Sequence, residues 1–129
     1  MGVQESEILM SYDITLNDPV THETIQFDSA HDMRGGTYAL GGTTEAWLNI
    51  TYNYARFYYQ DDVFGKKGIR TIYGLTGAQS IPILQKAISA LGNDVTSDYW
   101  KPTEGNAKRP LCQLLSMAQL RPDGIWDGD

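Results

Sequence analysis

The spacing of apolar residues changes period part-way along this chain, and that change limits the folds open to it more than any other feature. From Ser11 to Tyr54 apolar and polar residues tend to alternate; from Thr76 to Ala118 they recur at helical spacing. Alternation puts one face of a strand on a core, and a three-to-four spacing does the same for one stripe of a helix. Strands followed by helices read as an α+β domain: an N-terminal antiparallel sheet of about four strands packed with two C-terminal helices. Residues 1–10 are read as a loose extension ahead of a single domain over 11–129.

Turn chemistry supports this order. Ser11–Leu16 and Glu23–Phe27 alternate on either side of Asn17-Asp18-Pro19, which predicts a hairpin. Tyr12, Ile14 and Leu16 contest its core face with Ile25/Phe27 or Thr24/Gln26. A strand from Arg34 to Leu40 and a long one from Glu45 to Tyr54 flank Gly41-Gly42, a pair suited to a tight turn with positive φ. In the long strand Ala46, Leu48, Ile50, Tyr52 and Tyr54 share the expected core face, and Glu45, Trp47, Asn49, Thr51 and Asn53 share the other. That second face is either the solvated side of a one-sided sheet or a row of uncharged hydrogen-bonding groups aimed at a ligand or a second subunit. A face chosen for solubility alone usually carries Lys or Glu.

Residues 55–77 are less regular; Ala55–Gln60 reads as a helical turn or as the aromatic end of a strand, and the stretch from Gly65 to Gly74 carries the densest positive charge. Thr76-Gly-Ala-Gln79 has the capping-box pattern. Ile81, Leu84, Ile88 and Leu91 then follow at helical spacing, and Gly92-Asn93 ends that helix. The second helix carries Ala107, Leu111, Leu114, Leu115 and Ala118 on one stripe, with Thr103 as a candidate cap. Pro110 requires either a start near Lys108 or a kink. Tyr99 and Trp100 are expected to pack the intervening link against the body, and Trp126 to pin the tail.

The 129 residues, 41% hydrophobic and 20% charged, suit a chain that buries a core. No apolar run approaches the ~18–20 residues that cross a bilayer. The opening Met1–Ser6 lacks the basic and apolar regions of a secretory signal, so the expected place is the cytoplasm. Met1–Ser6 fits an N-myristoylation pattern, but no polybasic second signal accompanies it. Asn49-Ile50-Thr51 fits a glycosylation acceptor and reads instead as strand. A net charge of -6 argues against direct nucleic-acid binding and permits an acidic surface that docks on a basic protein. The single cysteine, Cys112, excludes an internal disulfide and any CxxC motif; its leucine neighbours predict a buried small hydrophobe.

No phosphate-loop, dinucleotide, zinc-protease or nucleophile-elbow motif occurs, so no cofactor, metal or catalytic set is expected. His22 and His31 are the two histidines; His31, near Asp28 and Asp32, reads as a hydrogen-bonded loop residue. The remaining polar groups suit an anionic small molecule such as a nucleotide. Arg34 stands before two glycines with Tyr38 beyond it. Arg70 lies near the helix start at Thr76-Gly77, and Asn106, Lys108 and Arg109 gather at the second helix start. Helix starts offer free N–H groups and positive potential. Arg34, Arg70 and Arg109 would hold charge, Tyr38 or Trp47 would stack, and Asn49, Asn53 and Asn106 would read polar edges. The ordinary alternative pairs Arg70 with a carboxylate and leaves Lys108 and Arg109 in solvent.

Arg34-Gly-Gly-Thr-Tyr, Asn49-Ile-Thr-Tyr-Asn-Tyr, Gly68-Ile-Arg-Thr-Ile-Tyr-Gly-Leu-Thr-Gly, Glu104-Gly-Asn-Ala-Lys-Arg and the ending Arg121-Pro-Asp-Gly-Ile-Trp-Asp-Gly-Asp carry a family likeness. Over most of residues 11–129 the chain resembles a family of small phage and prophage proteins of Gram-positive gut bacteria. That family has no assigned activity, so the resemblance implies a setting: a phage-derived protein in a bacterial cytoplasm, with a role in countering host defence. Two readings follow, a protein that captures an anionic small molecule without catalysis and an acidic inhibitor, of nucleic-acid-mimic type, that blocks a host defence protein. An enzyme is the third, and no recognisable nucleophile, metal set or carboxylate pair recommends it. A homo-oligomer, most simply a two-fold dimer, is expected on two grounds. Phe57, Tyr58, Tyr59 and Trp126 look too many for one small core, and Glu45–Tyr54 lacks an edge-blocking Lys or Pro.

Overall fold

The computed structural model describes residues 11–31, 43–98 and 101–129. The predicted strand Arg34–Leu40, the turn at Gly41-Gly42, residues 1–10, and Tyr99 and Trp100 lie outside the described residues. In chain order the elements are β1 (Ser11–Asn17), β2 (Gln26–His31), β3 (Thr43–Glu45), β4 (Trp47–Thr51), a 3-10 turn at Tyr52–Tyr54, α1 (Ala55–Tyr58), a second 3-10 turn at Gly68–Ile72, α2 (Gly77–Ala90), α3 (Glu104–Leu120) and β5 (Ile125–Gly128). This is an α+β fold, with a small antiparallel sheet and two long C-terminal helices. Among the described residues no helix is long and apolar enough to cross a membrane.

β1 is the centre of a three-stranded sheet in the order β4-β1-β5. It runs antiparallel to β4, with Tyr12 opposite Ile50 and Ile14 opposite Leu48, and antiparallel to β5, with Leu16 opposite Trp126. Directly opposed residues share a face. The inner face is therefore Tyr12, Ile14, Leu16, Leu48, Ile50 and Trp126, each at most 1% exposed. β5 comes from the tail, which carried no alternation long enough to announce a strand.

The predicted hairpin forms only at its turn. Asn17 bridges Thr24, but β2 then leaves β1 and pairs with β3, with Gln26 opposite Glu45. Three backbone bonds close a triangle where the strands part. Ile25 N–H donates to the Leu16 carbonyl (3.0 Å), Leu16 N–H to the Ala46 carbonyl (2.9 Å), and Ala46 N–H to the Ile25 carbonyl (2.8 Å). Ala46 thus hands its chain from β2 to β1, and this corner breaks the long predicted strand into β3 and β4. The strand also stops short of Tyr54. The Thr51 hydroxyl accepts from Asn53 N–H (3.2 Å) and caps the 3-10 turn that follows.

Both helix starts are local inventions of the sequence. At α2, Gln79 N–H donates to the Thr76 hydroxyl (3.1 Å) and Thr76 N–H to Gln79 Oε1 (2.9 Å), a closed capping box. At α3, Asn106 N–H donates to the Thr103 hydroxyl (3.1 Å), so the helix begins at Glu104 and not near Lys108, and runs on through Pro110. α2 and α3 add Leu84, Ala87, Ala107, Leu111, Leu114, Met117 and Ala118 to the core, with Leu115 half-buried beside it. Cys112 corrects an expectation: it is exposed, because it stands about 100° round the helix from Leu111, off the buried stripe.

The aromatic surplus that argued for an oligomer is also corrected. Tyr58 and Trp126 are buried, Phe57 is half-buried, and Tyr59 alone of the four is exposed, at 42%. The core takes them because their polar ends find partners. The Tyr58 hydroxyl donates to the Ala107 carbonyl (2.7 Å). The Trp126 indole donates to the Ser80 hydroxyl (2.7 Å), which donates on to the Gly77 carbonyl (2.8 Å).

Candidate functional site

Alternation along β1, β4 and β5 sends every second side chain to the outer face of the three-stranded sheet. The register places Trp47, Thr15 and Asp127 in one row, and Asn49 and Asp13 in the next. Asp129 follows Asp127 into that second row: its carboxylate accepts from Asp13 N–H (2.9 Å), and its own N–H reaches the Asp13 carbonyl (3.4 Å). Asp13 Oδ1 accepts from both Trp47 Nε1 (3.2 Å) and Asn49 Nδ2 (2.9 Å), and Asn49 also donates to the Ser11 hydroxyl (2.9 Å). Asp127 Oδ1 accepts from Gly128 N–H (2.8 Å).

These donors are all neutral, so they orient the carboxylates without cancelling their charge. Among the described residues Arg121 pairs with Asp18 (3.1 Å) and Asp123 (2.8 Å), and no Lys or Arg side chain pairs with the carboxylate of Asp13 or Asp127. Asp13, Asp127 and Asp129 are all exposed. Asp13 on β1 and Asp127 on β5, strands about 4.8 Å apart, give this face a negative potential, with Asp129 at its end. Among the described residues no three His, Cys, Asp or Glu side chains come together as a metal site.

Arg70 stands at the rim of this face. Its Nε donates to the Asp129 carbonyl (3.0 Å) and its Nη2 to the Tyr52 hydroxyl (2.7 Å). The guanidinium lies 5.0 Å from the Tyr12 ring centre and 5.7 Å from that of Tyr52. Behind it the rings of Tyr12 and Tyr52 (4.5 Å), Tyr54 and Tyr58 (6.4 Å), and Tyr58 and Phe64 (5.8 Å) form a continuous aromatic cluster. Burial raises the phenols of Tyr12, Tyr54 and Tyr58 above their ordinary range, so they stay neutral. Burial does the same to Tyr73, with Asp129 adding to it.

The candidate residues read from the sequence divide into groups. Trp47, Asn49 and Arg70 are brought together through Asp13 and Asp129. Asn53 is exposed on the 3-10 turn beyond β4. Asn106 is buried, and its side chain is committed to the loop ahead of α3: Nδ2 donates to the Thr96 hydroxyl (3.3 Å) and to the carbonyls of Asp98 (3.0 Å) and Lys101 (3.3 Å), while Oδ1 accepts from Thr96 N–H (3.4 Å). Arg109, half-buried on α3, lies near enough to Tyr54 to oppose the rise that burial imposes on its phenol. Arg34 and Tyr38 lie outside the described residues, as does Asp32 of the imagined His31 cluster.

The helix starts do not offer the N–H groups that an anion would use. At α2, Gly77 N–H donates to the Gly124 carbonyl (2.8 Å) and Ala78 N–H to that of Pro122 (2.9 Å). At α3, Gly105 N–H donates to the Asp94 carbonyl (2.9 Å) and Asn106 N–H to the Thr103 hydroxyl (3.1 Å). Glycine permits this closure. A Cβ on Gly77 would lie 2.8 Å from the Arg121 carbonyl oxygen, and one on Gly105 2.6 Å from that of Asp94. Sequence reasoning missed Asp13, Asp127 and Asp129. The alternation of β1 was enough to put Asp13 on its polar face; the tail held no signal for the other two.

What fold and site together define is an α+β protein with a carboxylate-lined outer sheet face beside Trp47. The chain matches no protein-family model, no curated protein and no solved structure.

Proposed function

We propose that this protein works by binding and not by catalysis, docking the outer face of its β4-β1-β5 sheet on a basic surface of a partner protein. One observation carries the reading. Asp13 and Asp127 stand on an exposed face beside Trp47, and among the described residues neither carboxylate pairs with a Lys or Arg side chain; the nearest such contact is Arg70 to the main-chain oxygen of Asp129 (3.0 Å). Charge of one sign on an open face steers association and selects a partner of opposite potential. The net charge of -6 acts in the same direction at longer range. Taken with the resemblance to phage and prophage proteins, the partner is a host defence protein with a basic groove, and the role is counter-defence. Capture of a nucleotide is less well supported, because the helix-start N–H groups and Asn106 are engaged within the protein, and Arg70 is held by Asp129 and Tyr52.

The test uses immobilised protein, wild type against Asp127→Lys, exposed to host lysate at low and moderate salt. A partner bound by wild type at low salt, released as salt rises and lost to the variant, is expected. A partner that the variant retains in full would refute the docking face.

A further inference from the structure

We infer that the outer sheet face holds a seat for an arginine side chain of the partner protein, formed around Thr15 by Trp47, Asp127 and Asp13. The inference rests on the reading that this face docks on a basic protein, and it names the group that is recognised. Thr15 is opposite Trp47 on one side and Asp127 on the other. Neighbouring strands are about 4.8 Å apart, so the two flanking residues stand roughly 10 Å apart with only a short side chain between them. Asp13 precedes Thr15 by two positions on the same strand and therefore shares its face. The result is a notch with an indole on one wall, a carboxylate on the opposite wall and a second carboxylate at one end.

The indole is positioned before any partner arrives. Its Nε1 donates to Asp13 Oδ1 (3.2 Å), and Asn49 steadies the same oxygen (2.9 Å). Trp47 and Thr15 are half-buried, whereas Asp13 and Asp127 are exposed, so the indole wall and the floor are held while the carboxylates are open to solvent. This combination suits a guanidinium better than an ammonium. A guanidinium is planar, weakly hydrated and able to stack on an aromatic face while its fork of N–H donors engages a carboxylate; an ammonium is a compact, strongly hydrated point charge. The charge of the face attracts either cation. The indole is what distinguishes them.

The experiment titrates the full chain, by calorimetry and tryptophan emission at low salt, with capped hexa-arginine and hexa-lysine peptides of equal charge. The arginine peptide should bind about three- to fivefold more tightly than the lysine peptide, the scale of an exposed cation–π contact, and should alter the emission. Trp47→Leu should erase that preference, weakening the arginine peptide more than the lysine peptide. Trp47→Phe should retain part of it, which separates loss of the aromatic face from loss of folding. Asp127→Asn should weaken both peptides. Equal affinity for the two peptides, or a preference that survives Trp47→Leu, would overturn the seat; if both then still depended on Asp127, the docking face would stand without it. Failure of both peptides to bind would overturn the seat and the docking face together.

Discussion

Ser80→Ala isolates one buried polar contact on which the tail depends. Trp126 is 1% exposed and Ser80 is fully buried, and the indole N–H donates to the Ser80 hydroxyl at 2.7 Å. Removing the hydroxyl leaves that N–H in the core without an acceptor, at a cost of about 1–3 kcal/mol. The second bond of Ser80, to the Gly77 carbonyl, adds little, because that oxygen lies in the first turn of α2 where a helix supplies its own amide partner. Alanine's better helix propensity returns up to ~0.5 kcal/mol. The net loss is then about 0.5–2.5 kcal/mol, or a fall in Tm of roughly 2–10 °C for a chain of this size. Urea unfolding should show a lower midpoint with an unchanged slope. Trp126→Phe removes the donor instead and leaves a gap. The double variant should be less destabilised than the sum of the two by about 1 kcal/mol, because no orphan donor remains. A Ser80→Ala loss below ~0.5 kcal/mol, or strict additivity in the double variant, would refute the argument.

Two further outcomes follow from close contacts elsewhere. The backbone N–H groups of Thr21 and Val20, with Arg121, hold Asp18 below the ordinary carboxylate range, and the Arg121 hydrogen bond does the same for Asp123. A carboxylate depressed in the folded state stabilises it above the unfolded value and loses that contribution as pH falls through the folded value. Acid should therefore erode wild-type stability below about pH 4 more steeply than that of Arg121→Ala, measured by thermal unfolding across pH; parallel curves would refute the pairing. Gly105→Ala in a helix would ordinarily gain up to ~1 kcal/mol. Here the added carbon would lie 2.6 Å from the Asp94 carbonyl oxygen and 2.5 Å from Val95 Cγ1, so the change should destabilise instead. An unchanged or raised melting temperature would show that the link ahead of α3 gives way freely.

The parts of the fold legible in the sequence are those settled within a few residues. The capping box of Thr76 and Gln79, the Thr103 cap, the alternation of Tyr12, Ile14 and Leu16, and the stripe Ala107, Leu111, Leu114, Leu115 and Ala118 all rest on neighbours within a turn or two, and all are present, Leu115 only half-buried. Propensity, capping and period are local quantities, so a linear reading has access to them. What failed was the choice of partners. Nothing in Glu45–Tyr54 says that Ala46 must donate to Ile25 and accept from Leu16, and it is this corner that splits the strand. Nor does Ile125–Gly128 carry enough alternation to claim the edge beside β1.

The candidate face shows the same division. Trp47 and Asn49 were legible as an unusual polar row on one strand, but the group that organises them, Asp13, comes from β1, and Asp129 joins it from 116 residues away. Asn106 looked like a ligand contact at a helix start, and Thr96, Asp98 and Lys101 take its hydrogen bonds instead. The sequence by itself determined the two long helices with their caps and the apolar sides of β1 and of most of β4, because those follow from interactions along the chain. Only the tertiary structure decided which strands meet and which polar groups satisfy one another, leaving a cluster of carboxylates in solvent, because those depend on contacts between segments whose separation along the chain carries no signal of their closeness in space.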